Sequence, residues 1–224
     1  MRKAWFAVLA LLAAIPAFLS GGARAAEGCV GDCGLYAYLP SVLLSEPRPM
    51  TDKVWAIAGF GGALTKDSFV QSLVHLSPNL TNDYIAGGDL SYKFYQFSRL
   101  PIDLELDMTI AKRFGVDHQW DFGILPMLRW TEFPWNNYVY TNFRIGLIGF
   151  DYVTGVSPWE LHWAGNNHGS HYLNYLSVEV DVRTSKESPW EFFFRSHHRS
   201  GIFGLINDTW GGSTYMTLGA RYQY

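Results

Sequence analysis

The carboxyl-terminal stretch alternates. Counting back by twos from Tyr224 gives Tyr222, Ala220, Leu218 and Met216, an apolar face; Gln223, Arg221, Gly219, Thr217 and Tyr215 make the other. A period of two is the strand period. The pattern recurs in Ile102–Ile110, where every even position is apolar and the odd positions are acids and Thr109. It recurs again from Trp120 to Trp130, where Pro126 removes one ladder donor and predicts a bulge or weak pairing. Read this way, the chain predicts strands near 53–64, 83–97, 101–114, 118–132, 137–152, 171–184, 189–205 and 213–224. The connections at 98–100, 133–136 and 185–188 are short, whereas 65–82 and 153–170 are long and polar.

One apolar and one polar face on each strand suits a soluble sandwich or a wall between lipid and a polar lumen. The ends of the runs favour the wall, because Trp120 and Trp130 bracket an apolar stripe of about the height of a lipid band. Residues 1–26 read as a signal peptide, with Arg2 and Lys3, an apolar run from Ala4 to Leu19, and a small-x-small site at Ala23-Arg24-Ala25. No later segment approaches the roughly 20 apolar residues of a transmembrane helix. A mature chain in a membrane must then be a closed barrel, since only helices and barrels satisfy every backbone group in lipid. The final run resembles the closing strand of bacterial outer-membrane barrels.

The expectation is therefore an all-β fold: an eight-stranded antiparallel up-and-down transmembrane β-barrel over 51–224, after a periplasmic segment at 27–50. Its location would be the bacterial outer membrane, reached with the barrel-assembly machinery, alone or as a homodimer or larger membrane complex. An even strand count puts both termini and the short turns on the periplasmic side and the long connections outside. The lumen of so small a barrel should be filled by side chains, which argues against a porin. A net charge of −3 shows no basic excess for nucleic acid. Cys29 and Cys33 are placed for a small local disulfide in an oxidising compartment. No cofactor is expected, and no metal, because His75, His118, His162, His168 and His171 fit no metal-site spacing.

The seventh run carries the functional signal. Trp190, Phe192 and Phe194 set its outward face, and continuing by twos places Ser196, His198 and Ser200 on that same lipid-facing side. Polar groups facing lipid are costly unless paired. Arg195, His197 and Arg199 point the other way, toward inward residues Glu179 and Asp181 of the sixth run. His198 and Ser200 share one strand face in the outer half, the minimum pair for an activated serine nucleophile.

His198-Arg199-Ser200-Gly201, on the penultimate strand of such a barrel, resembles the His-x-Ser-Asn motif of the lipid A 3-O-deacylase family. The resemblance implies His198 as base, Ser200 as nucleophile, and lipid A of lipopolysaccharide as substrate. The family's Asn is Gly201 here, and its orienting Glu on the next strand has no counterpart, since no Glu follows Glu191. Asp208 is the only downstream acid and the candidate for that role, and the Gly201 amide is the candidate oxyanion donor. The alternative is a non-catalytic barrel with a structural or partner-binding role, in which His198 touches lipid headgroups. A palmitoyltransferase-like lipid enzyme is a further option.

Overall fold

The computed structural model describes residues 53–74, 78–163 and 169–224. The strands are β1 Trp55–Thr65, β2 Leu80–Gln96, β3 Ile102–Phe114, β4 Trp120–Trp130, β5 Tyr140–Val153, β6 Tyr172–Arg183, β7 Trp190–Ser200 and β8 Gly212–Gln223. Each pairs antiparallel with the next, and β8 returns to β1 to close the barrel. The expected signal peptide, the 27–50 segment and both cysteines lie outside the described residues. Among the described residues no helix is long and apolar enough to cross a membrane.

The strand alternation is inside out relative to a soluble protein. Along β4 the exposed residues are Trp120, Phe122, Ile124, Pro126 and Leu128, and the buried ones include Asp121 and Arg129. The largest fully buried side chains are headed by Arg113, Arg129, Arg144, Arg195, Arg199 and Arg221. The outer wall shows Ile57, Ile124, Phe192 and Leu218. A continuous apolar belt of this kind is a solvation mismatch in water and a match in hydrocarbon. Rings gather at its two rims. Trp55 lies tilted against Tyr92 and Trp190 edge-on to Tyr222 at the short-turn end; Tyr152 meets Phe122 and Tyr172 at the other. Ten steps of roughly 3.3 Å, tilted by about 40°, give a band of about 25 Å. The fold and the surface are those of an outer-membrane β-barrel.

The lumen is solid. Arg144 binds Glu105, Asp107 and Glu179; Arg129 reaches Glu105, Asp181 and Glu191; Arg195 reaches Asp89 and Glu179. Removed from water, these charges persist because each has an opposite partner at contact distance. The ladder also bulges beside Pro126. The β4–β5 register shifts between Ile124 and Leu128, with the extra residue on β5. Asn174 patches the gap, donating to the Leu147 carbonyl at 2.9 Å and accepting from the Gly149 amide at 3.1 Å.

Two features depart from the sequence reading. Strand β7 stops at Ser200, five residues short of the expected 205, because the backbone turns left-handed at Ile202 (φ 49°) and Phe203 (φ 55°). The long connections also hold short helices, α1 Phe69–Val74 and α2 Pro158–Trp163. The first opens on a capping box and the second on a serine N-cap. The Ser68 amide donates to Gln71 Oε1 and the Gln71 amide to Ser68 Oγ; the Glu160 amide donates to Ser157 Oγ, with Pro158 at the first helical position.

Candidate functional site

The parity read for β7 holds. His197 is fully buried in the lumen, whereas Ser196, His198 and Ser200 continue the outward row of Trp190, Phe192 and Phe194. The outward polar residues are not bare. Helix α1 lies against them: its Phe69 ring is 4.7 Å from the His198 imidazole, and its Ser72 hydroxyl is 3.4 Å from that of Ser196. Ser196 faces outward yet is 1% exposed. The connection is braced by Asp67, whose carboxylate accepts from the Asn79 backbone and side-chain amides at 3.0 and 2.7 Å. A loop segment thus replaces lipid over the polar part of the wall, which removes the cost of exposing it to hydrocarbon.

The imidazole has a defined partner. His198 Nδ1 lies 2.8 Å from Thr214 Oγ1, and Thr214 stands opposite His198 in the β7–β8 register. When Nδ1 donates, the lone pair sits at Nε2, the tautomer a general base needs. Ser200 is two residues along the same face. Its Oγ accepts from the Ile202 amide at 3.1 Å, which leaves its own proton available for transfer. Beyond it the turn exposes Phe203, Leu205 and Trp210, an apolar rim next to the serine.

Asp208 sits in this turn, exposed and with φ 53°. The turn is tied to β6 by Asn207, which donates to Ser170 Oγ at 2.7 Å, and Nδ1 of His198 is held by Thr214. Thr214 was legible: it shares the outward parity of Met216 and Leu218 on the last strand. Counting acids alone passes over it.

The Gly201 amide is not available as an oxyanion donor. It donates to the Gly211 carbonyl at 3.1 Å, carrying the β7–β8 pairing past the end of the strand. The same closeness explains the glycine: a Cβ there would lie 1.8 Å from the Thr209 carbonyl oxygen. Gly201→Asn, which restores the deacylase motif by sequence, is therefore expected to destabilise the turn and lower the unfolding temperature rather than improve any activity. A thermal melt of the variant in detergent checks this.

Behind β7 the lumen differs from the expectation at both His197 and Arg199. His197 does not meet Glu179 or Asp181. Register places Ser177 opposite His197 and Glu179 opposite Arg195, so those two acids serve the arginines one layer deeper. His197 Nδ1 instead lies 2.9 Å from the Tyr175 hydroxyl, and its Nε2 lies 3.6 Å from Asp121 and 3.9 Å from Asp151. The Tyr175 ring has room because position 123 is glycine; a Cβ there would stand 2.8 Å from the ring. Arg199 pairs with Asp151 of β5 and Glu160 of α2.

No family model matches the sequence, and no curated protein matches it significantly. Among solved structures, the barrel is similar to the crystal structure of the outer membrane enzyme PagL. The TM-score is 0.53 with 11% identity, over 75% of this chain and 99% of that one. Neisserial surface protein A (NspA) matches with a TM-score of 0.43 and 13% identity, over 76% of this chain and 96% of that one. At such identity the likeness to PagL is one of fold, and the fold this chain shares is the eight-stranded outer-membrane barrel.

Proposed function

We propose that the protein is a lipid-facing esterase of the outer membrane that removes an ester-linked acyl chain from lipid A, with Ser200 as nucleophile and His198 as base. The observation that carries the reading is the bond from His198 Nδ1 to Thr214 on the outward wall, on the face that also bears Ser200. In the reaction Ser200 Oγ attacks the acyl carbonyl while His198 Nε2 takes its proton. The tetrahedral intermediate then expels the sugar alkoxide, which leaves with that proton. Water activated by the same imidazole hydrolyses the acyl-enzyme. Thr214 stands where a triad has its carboxylate. It fixes the ring but adds no negative charge, so the imidazolium formed in the transition state is less stabilised. The oxyanion needs a donor. Asn174 registers beside Ser200 on β6 and is the candidate, although its amide is engaged with Leu147 and Gly149 of β5 and would have to turn. The apolar rim of Phe203, Leu205 and Trp210 suits the acyl chain, and Phe69 must shift for substrate to reach the imidazole.

A second reading is a structural or partner-binding barrel, favoured by the seal that α1 makes over His198. There the polar row on β7 serves only to dock the loop. Mass spectrometry of lipid A from cells with and without the protein separates the two. The esterase reading expects a new species lighter by one acyl chain. It further expects Thr214→Glu to raise that product at least about tenfold, well inside the ~10⁴ that the acid of a triad is worth. Unchanged lipid A under strong expression, in both proteins, would leave only the second reading.

A further inference from the structure

The outer part of the lumen holds a cluster that the esterase reading does not use. Asp121 on β4, Asp151 on β5 and His197 on β7 each offer a ligand atom, and these atoms lie within 4.8 Å of one another. All three residues are fully buried. Among the described residues, Asp121 Oδ1, Asp151 Oδ2 and His197 Nε2 have no hydrogen-bond partner, and neither has the nearby Tyr215 hydroxyl. Buried polar atoms without partners are uncommon and call for an explanation.

Charge supplies a second argument. Arg113 reaches Asp117, Asp121 and Glu160, and Arg199 reaches Asp151 and Glu160. Among the described residues, two guanidiniums and the His197 imidazole therefore face four carboxylates, none more than 2% exposed. The network one layer deeper is closer to balance, with five arginines (129, 144, 183, 195 and 221) against six carboxylates. With all four ionised and His197 neutral, an excess of two negative charges enclosed by a lipid-embedded wall would be expensive. From outside, α2 closes the site with Glu160, which accepts from Ser213 Oγ at 2.9 Å and from Arg199.

We infer that Asp121, Asp151 and His197 bind one divalent transition-metal ion, of the Zn²⁺ or Mn²⁺ class, as a structural centre of the barrel. One such ion cancels the local excess and gives the unpartnered oxygens and Nε2 a common partner. An imidazole with two carboxylates selects this class over Ca²⁺ or Mg²⁺, which take oxygen ligands almost alone. The Tyr175 hydroxyl at Nδ1 is the outer-shell contact that orients a ligating histidine. Ligands at about 2.1 Å from one ion sit closer than the present spread, so binding draws them together by about an ångström. The three residues come from three strands with no motif spacing, which is why the sequence conceals them.

The test uses the full chain refolded from urea into detergent micelles with Zn²⁺, Mn²⁺ or EDTA, then gel-filtered. Chain refolded with Zn²⁺ or Mn²⁺ is expected to carry about one ion and to melt several degrees above the EDTA-refolded chain. The double variant Asp121→Asn/Asp151→Asn should carry no ion and melt alike in all three conditions. Asp103→Asn, at the short-turn end, should retain the ion. Wild type that folds without retaining either ion, and melts identically with EDTA, would overturn the proposal and assign the excess charge to protons on the carboxylates. Equal ion retention by the double variant would overturn it too, by placing the ion elsewhere.

Discussion

Replacing Arg144 with methionine is expected to lower the stability of the folded barrel by about 3–5 kcal/mol, the range for breaking a buried ion pair from one side. Arg144 is fully buried and places one guanidinium against three carboxylates: Glu105 at 2.9 Å, Glu179 at 2.7 Å and Asp107 at 2.5 Å. Two of the three have other cations within 2.7 Å. Glu105 keeps Arg129, and Glu179 keeps Arg195 and Arg221. Asp107 keeps only Arg195, at 4.0 Å. The loss therefore concentrates on Asp107, and adding Asp107→Asn to the variant should recover part of it. Urea unfolding in detergent, followed by tryptophan fluorescence, measures both steps. A change under about 1 kcal/mol would mean that water reaches this layer and that the lumen is less dry than the packing indicates.

Ser200→Ala is expected to abolish the release of acyl chain from lipid A while the barrel folds normally. Loss of the nucleophile costs about 10⁶ in a serine protease with a full triad. With a hydroxyl in place of the acid the starting rate is lower, and a fall of at least about 10² is expected. His198→Ala should fall as far, because nucleophile and base act as a unit. Folding should tolerate Ser200→Ala, since the hydroxyl's recorded bond is acceptance from the Ile202 amide in an outer turn. Ser196→Ala is the control: it contacts Ser72 of α1 and has no part in the chemistry, so deacylation should persist. Lipid A mass spectra show the activity, and the gel shift between heated and unheated samples reports the folded barrel. Retained deacylation in Ser200→Ala would remove Ser200 from the mechanism.

Much of this was written in the alternation. Each of the eight strands lies where a period of two placed it, and the opposite facing of His197 and His198 followed from parity alone. Pro126 announced the ladder defect beside it, because a missing N–H is a local property. Parity says only that a residue faces the lumen, not what it meets there. That Arg144 meets Asp107 of β3 and Glu179 of β6 depends on how the strands are staggered around the barrel. The left-handed backbone at Ile202 and Phe203 was hidden for the opposite reason: bulky residues disfavour it, and the apolar run there reads as more strand. Helix α1 has six residues, too few to stand alone, so its place over His198 is set by tertiary contact, and the 65–82 connection read only as long and polar.

Closure also dictates the order of events in assembly. Strand β1 is synthesised first, and its second edge finds a partner only in β8, which pairs Ala56 with Gln223 and Thr65 with Thr214. Until the last strand exists, the first carries a bare edge able to template the wrong neighbour. A half-barrel fares no better in a bilayer. A sheet of β1 to β4 alone would keep Arg113 with Asp121 and Arg129 with Glu105, but it would turn Asp89 and Asp107 toward acyl chains with their partners Arg144 and Arg195 still missing. No inserted intermediate of that kind is affordable. Insertion and closure are therefore expected as one concerted step.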